Sequence, residues 1–159
     1  MNAPFMLAAP PIARHAAPGS AGVRTYTPPV EILSSRVLLR PVDPERSRAF
    51  YRDQLGLAIY REFGTGPERG TVFFLGNGLL EVSGRAAGPA GETVELWMQV
   101  RDLAETHRTL RERDVKILRE PKREPWGLDE MWIADPDGIR IAVVEVPPDH
   151  PLRSRTGTD

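Results

Sequence analysis

The side chains with chemistry to offer here are arginines, glutamates and tryptophans at alternate positions of short apolar stretches. Arg36, Leu38 and Arg40 lie on one side of a stretch whose other side is Val37 and Leu39. In the same way Glu95, Trp97 and Gln99 alternate with Leu96, Met98 and Val100, and Arg140, Ala142 and Val144 alternate with Ile141 and Val143. A face built only as core would be rich in Leu and Val. Polar groups beside a large aromatic suit a pocket for an amphipathic small molecule instead. Arg40 or Arg140 can pair with a ligand carboxylate or phosphate, or else sit at a solvated strand end. Other chemistries are excluded or unsupported. There is no cysteine, and so no disulfide, thiolate metal site or Cys nucleophile. His15 and His150 lie near the chain ends, and His107 borders the apolar stripe of a helix. No G-x-S-x-G, phosphate-binding loop or dinucleotide fingerprint occurs.

The elements that must position these side chains come in two rounds. In the first, the strand at 36–40 precedes a helix that Asp43 caps and Pro44 opens; Phe50, Tyr51 and Leu55 form its apolar stripe and Gly56 ends it. Strands follow at 57–63, 71–75 and 79–83, the last two joined by the hairpin signal Gly76-Asn77-Gly78. A linker of glycine, proline and alanine runs from Gly84 to Gly91. The second round has a strand at 93–100 and a helix opening on Asp102 with Glu105 three residues on, a capping-box pattern, and with Leu103 and Leu110 inward. Strands at 115–118, 130–134 and 139–146 complete it, with a loop at 121–128 and a turn at Asp135-Pro136-Asp137-Gly138. Asp43 and Asp102, like Arg36 and Glu95, are 59 residues apart. The repeat predicts an α+β chain of two βαβββ modules whose sheets pair into a curved mixed β-sheet cup.

The expected organisation is a loosely attached Pro- and Ala-rich arm over 1–31 and a folded domain over 32–147. That domain divides into module one (32–84), the linker (85–91) and module two (92–147), and a tail covers 148–159. The formal net charge of -1 gives no case for nucleic acid or an anionic membrane as partner. No apolar run approaches the roughly 18 residues that span a bilayer. Freedom from cysteine fits a reducing cytoplasm.

Three stretches then carry a specific resemblance: V-D-P-E-R-S-R-A-F-Y-R-D-Q-L-G-L at 42–57, V-R-D-L at 100–103, and D-P-D-G-I-R-I-A-V-V-E at 135–145. The chain resembles the vicinal oxygen chelate superfamily, which includes glyoxalase I, extradiol dioxygenases and the fosfomycin- and bleomycin-resistance proteins. The resemblance implies a glyoxalase-like fold and, in metal-binding members, a divalent ion held by the first and last strands of each module. Here those positions are Arg36, Glu81, Glu95 and Ala142, two of which cannot ligate a metal. The expectation is therefore no metal, with Arg36 between Glu81 and Glu95 as the cup's positive charge; weak divalent binding at Glu81 and Glu95 is the lesser alternative. Family members often close the cavity with the loop that here holds Trp126, which either stacks on a planar ligand or covers the core. Trp132, on a strand, reads as packing.

Two functions follow. One is a metal-free binding protein, in the manner of the bleomycin-resistance branch, that sequesters an aromatic or anionic small molecule and works as a homodimer, a state implied by the resemblance. The other is an enzyme, a metal-independent lyase, isomerase or cyclase, in which Glu95 or Glu81 acts as general base with Arg36 stabilising an oxyanion. A glyoxalase-like metalloenzyme is its weaker variant. For both, the candidate cup residues are Arg36, Leu38, Arg40, Glu81, Glu95, Trp97, Gln99, Trp126, Arg140 and Ala142.

Overall fold

A computed structural model describes Val30 and residues 32–153. The expected arm, apart from Val30, and the end of the tail lie outside the described residues. Module one runs β1 (Arg36–Leu39), α1 (Pro44–Ala49), β2 (Ile59–Phe63), β3 (Gly70–Leu75) and β4 (Gly78–Val82). Module two repeats the order with β5 (Glu95–Val100), α2 (Leu103–Glu112), β6 (Lys116–Arg123), β7 (Asp129–Ala134) and β8 (Arg140–Glu145). Each module forms a four-stranded mixed sheet, ordered β1-β4-β3-β2 and β5-β8-β7-β6, in which only β1 with β4 and β5 with β8 run parallel. The α+β fold and the βαβββ repeat stand as the sequence predicts.

Local chemistry explains the helices. Asp43 and Asp102 cap them, accepting from the backbone N–H of Arg46 at 3.1 Å and of Glu105 at 2.8 Å. The capping box at α2 is only half made, because the Glu105 carboxylate turns to Arg108 one turn on. Helix α1 continues into a π-helical turn at Phe50–Gln54, and Gly56 ends the run at φ +72°. The Arg113 guanidinium reaches across from module two to the carbonyls of Asp53 and Gln54, at 3.4 and 3.2 Å, satisfying groups that the helix end leaves open.

The strands differ from expectation in one place. The loop expected from Pro121 begins later, because β6 continues through that proline to Arg123. It is the edge strand of its sheet, where a residue without an N–H breaks no ladder, and its register shifts twice along the pairing with β7.

Both modules share one core. Leu39, Phe50, Tyr51, Phe73 and Leu80 from the first join Leu96, Leu103, Leu110, Ile133 and Ile141 from the second. Within it the Tyr51 hydroxyl, fully buried, donates to Asp135 Oδ2 at 2.9 Å. Asp137 of the same turn accepts from Val42 N at 3.0 Å and Ala90 N at 3.2 Å. The D-P-D-G turn thus ties module two to the helix, strand exit and linker of module one. The two sheets are not hydrogen-bonded to each other; β1 and β5 are both edge strands.

Candidate functional site

Register fixes which side chains share a face. In module one Leu38, Glu81, Val72 and Arg61 form a row across β1, β4, β3 and β2. This is the face away from the shared core. Glu81 is nonetheless buried, and both its oxygens are engaged: Arg36 Nη1 donates to Oε2 at 2.7 Å, and Ser83 Oγ to Oε1 at 2.7 Å. The Ser83 hydroxyl, and after it Arg36, holds the Glu81 carboxyl below the usual carboxylate range. Arg40, the third cup position on β1, donates from Nη1 to Ser83 Oγ at 2.6 Å and to its carbonyl at 3.1 Å. Leu38 stands between the two arginines with half its surface exposed.

In module two the equivalent row is Trp97, Ala142, Trp132 and Arg119. Ala142 is buried and Trp97 is 52% exposed. Arg140 lies over the Trp132 ring, 4.6 Å from its centroid, and pairs with Glu95 at 3.1 Å. The next row carries Gln99, Val144, Glu130 and Lys122. Trp126 is partly exposed and donates its indole N–H to Glu130 Oε1 at 2.8 Å. Its loop is closed by a bond from Glu124 N to the Leu128 carbonyl at 2.8 Å.

Arg36 does not sit between Glu81 and Glu95 as expected. It meets Glu81 alone. Glu95 is on the other module's sheet, where the parallel register places it beside Arg140. Trp132 packs on Leu128, Ala142, Val144 and Val146 as expected, but it also carries Arg140. Sequence reasoning missed Ser83, Glu124 and Glu130, all buried. Glu124 binds Arg119, and Arg119 also approaches Glu130 at 3.6 Å. Alternation offered a signal for two of them, since Ser83 is two residues from Glu81 and Glu130 two from Trp132.

These donors fit a divalent ion poorly. Glu81 has no free oxygen, and its repeat counterpart is Ala142. Among the described residues no three His, Cys, Asp or Glu side chains gather as a ligand set. A groove of about 700 Å³ lies elsewhere, along the free edge of β5 between the modules. Leu55, Leu75 and Asn77 line one side of it; Trp97, Gln99 and Val100 line the other. Of the cup candidates only Trp97 and Gln99 belong to both the groove and the open sheet face. The charged groups converge on the sheet faces instead.

A profile of the glyoxalase/bleomycin resistance protein/dioxygenase superfamily matches residues 34–143, spanning both modules. The chain belongs to that superfamily. Solved structures agree on the fold. A superfamily member from Sphaerobacter thermophilus is 25% identical with a TM-score of 0.58, covering 73% of this chain and 97% of its own. TnmS3, an antibiotic binding protein from a Streptomyces species, is 20% identical with a TM-score of 0.63, covering 76% and 100%. A glyoxalase/bleomycin resistance protein/dioxygenase from Nocardioides is 19% identical with a TM-score of 0.60, covering 80% and 91%. No curated protein matches the sequence. Within this superfamily the fold hosts several chemistries, so function must come from the side chains. No helix among the described residues is long and apolar enough to cross a membrane.

Proposed function

We propose that this superfamily member is a metal-free cytoplasmic binding protein that sequesters an aromatic or anionic small molecule on its open sheet faces. The observation that carries the reading is the row Trp97–Ala142–Trp132. Two indoles stand two strand steps apart, about 10 Å, with a methyl group between them. That spacing admits one planar ring stacked against an indole. Arg140 over Trp132 already holds a planar group in that manner. An antibiotic binding protein among the structural neighbours is compatible with this use of the fold.

The enzyme reading is weaker. A carboxylate held below the usual range by a hydroxyl and a guanidinium is a poor proton acceptor near neutral pH, which counts against Glu81 as general base. Glu95 has its partner in Arg140, not in the arginine expected to assist it.

The functional unit in this reading is a homodimer, with β1 of one copy beside β5 of the other and the two open faces forming one cup. The test of the function is metal analysis of the purified chain together with tryptophan fluorescence during titration with small aromatic acids. Saturable quenching that is lost in Trp97→Ala, without a stoichiometric metal, is the expected result. A stoichiometric ion abolished by Glu81→Ala would overturn the metal-free reading.

A further inference from the structure

The open face of module one holds more positive charge than its carboxylates can neutralise. Arg36, Glu81, Ser83 and Arg40 form a continuous hydrogen-bonded chain with links of 2.7, 2.7 and 2.6 Å. It contains two guanidinium groups and one carboxylate. Because Arg36 occupies one Glu81 oxygen and Ser83 the other, Arg40 reaches that carboxylate only through the serine hydroxyl. Arg61, in the same row as Glu81, stacks over Phe63 at 5.3 Å. Among the described residues neither Arg40 nor Arg61 has an acidic partner within ion-pair distance. The open face of module two is different, since Glu95 is matched there by Arg140, and Glu124 and Glu130 by Arg119 and Lys122.

Arg40 is also held in place. Its stem crosses Gly84, where a Cβ would come within 3.0 Å of Arg40 Cδ and 3.5 Å of Nε, and where φ is +63°. Its Nη1 is fixed by two bonds to Ser83. The other edge of the guanidinium, Nε with Nη2, has no partner among the described residues, and the residue is exposed. That edge is the fork that receives a carboxylate in two parallel hydrogen bonds.

We infer that Arg40, cradled by Gly84 and oriented by Ser83, is a carboxylate-binding site on this face and that the ligand is an aromatic acid. The inference rests on the reading of the chain as a small-molecule binder and names the charge of that molecule. Arg36 plays a different part. It keeps Glu81 occupied, so that Arg40 retains its charge for the ligand.

The experiment is isothermal titration of the full chain with 2-naphthoate and with neutral 2-naphthamide. The acid is expected to bind about tenfold more tightly than the amide, the scale of one charge-assisted pair. Arg40→Gln should remove that difference by weakening the acid more than the amide, and Gly84→Ala should do the same in part by displacing the arginine. Glu81→Gln should widen the difference, because it removes the one negative charge of the network; a purely structural role for the network predicts no gain. Equal binding of acid and amide by the wild-type chain overturns the carboxylate site while leaving the binding protein intact. Binding of neither overturns both. An unchanged acid preference in a folded Arg40→Gln overturns the assignment to this residue.

Discussion

At the scale of single residues, the bond from Tyr51 to Asp135 joins the two modules inside their shared core. Burial and the neighbouring carboxylate push the Tyr51 hydroxyl well above the usual tyrosine range, so the folded chain keeps that proton. In the unfolded chain the same hydroxyl ionises near pH 10. The folded state binds the proton more tightly, so stability is fully present below about pH 10 and falls as pH rises beyond it. Tyr51→Phe is expected to lower stability by about 1–3 kcal/mol at neutral pH, because Asp135 loses one of its three donors inside the core. The variant should also lose part of the alkaline decline, which urea denaturation at neutral and high pH would reveal. Glu81 has the opposite sign. Its lowered pKa adds stability above the ordinary glutamate value of about 4.5 that is lost as pH falls below it. Acid titration of Glu81→Gln should therefore show a flatter decline than the wild-type chain as pH falls below about 4.5. An identical slope would mean that the Arg36 and Ser83 contacts do not hold in solution.

At the scale of elements, the strands and helices were legible because local signals agreed with one another. Asp43-Pro44 and Asp102 start the helices, Gly76 takes the positive φ of a two-residue hairpin turn, and period-two patterning marks the strands. The misses have physical reasons. Pro121 reads as a strand breaker, and only the knowledge that β6 is an edge strand makes it harmless. The π-helical turn at Phe50–Gln54 has no periodic signature that separates it from ordinary helix. Alternation placed Trp97, Ala142 and Arg140 on one face correctly, but it does not say which strand lies beside which, and so the expected contact of Arg36 with Glu95 does not form. Glu124 escaped because nothing in a loop's sequence shows that a carboxylate will turn inward onto Arg119. That loop gives a prediction of its own. Gly127 has φ +90°, and a Cβ there would come within 3.1 Å of the His150 ring, whose Nε2 lies 3.1 Å from the Trp126 carbonyl. Gly127→Ala should cost about 1 kcal/mol or more and shift Trp126 relative to Glu130. Thermal denaturation and tryptophan emission would follow the two effects, and an unchanged spectrum would show that Trp126 is not held by this turn.

At the scale of the whole molecule, the two open faces and the edge strands β1 and β5 have one economical resolution. Leu38, Tyr60 and Phe74 are about half exposed on one face, with Tyr60 edge-on to Phe74 at 5.2 Å, and Trp97 is equally exposed on the other. Half-exposed aromatic and aliphatic side chains grouped on a sheet face mark a place where something binds. Strands β1 and β5 also leave backbone donors and acceptors unpaired along the borders of these faces, and such edges are usually covered or blunted. A second copy placed with its β5 beside β1, and its β1 beside β5, satisfies both edges by one twofold operation. It also brings the arginine-rich face of one chain opposite the tryptophan-lined face of the other, so that each cup offers a charge for a carboxylate and an indole for a ring. Analytical ultracentrifugation should then give twice 17.7 kDa at micromolar concentration. Dilution through the monomer–dimer transition leaves every side chain of the cup unchanged and should convert the dimer to a folded monomer. Aromatic-acid binding should fall in parallel, because each cup needs both chains. A wild-type chain that sediments as a monomer yet still prefers the acid to the amide would mean that one module's face suffices and that the edges of β1 and β5 serve another purpose.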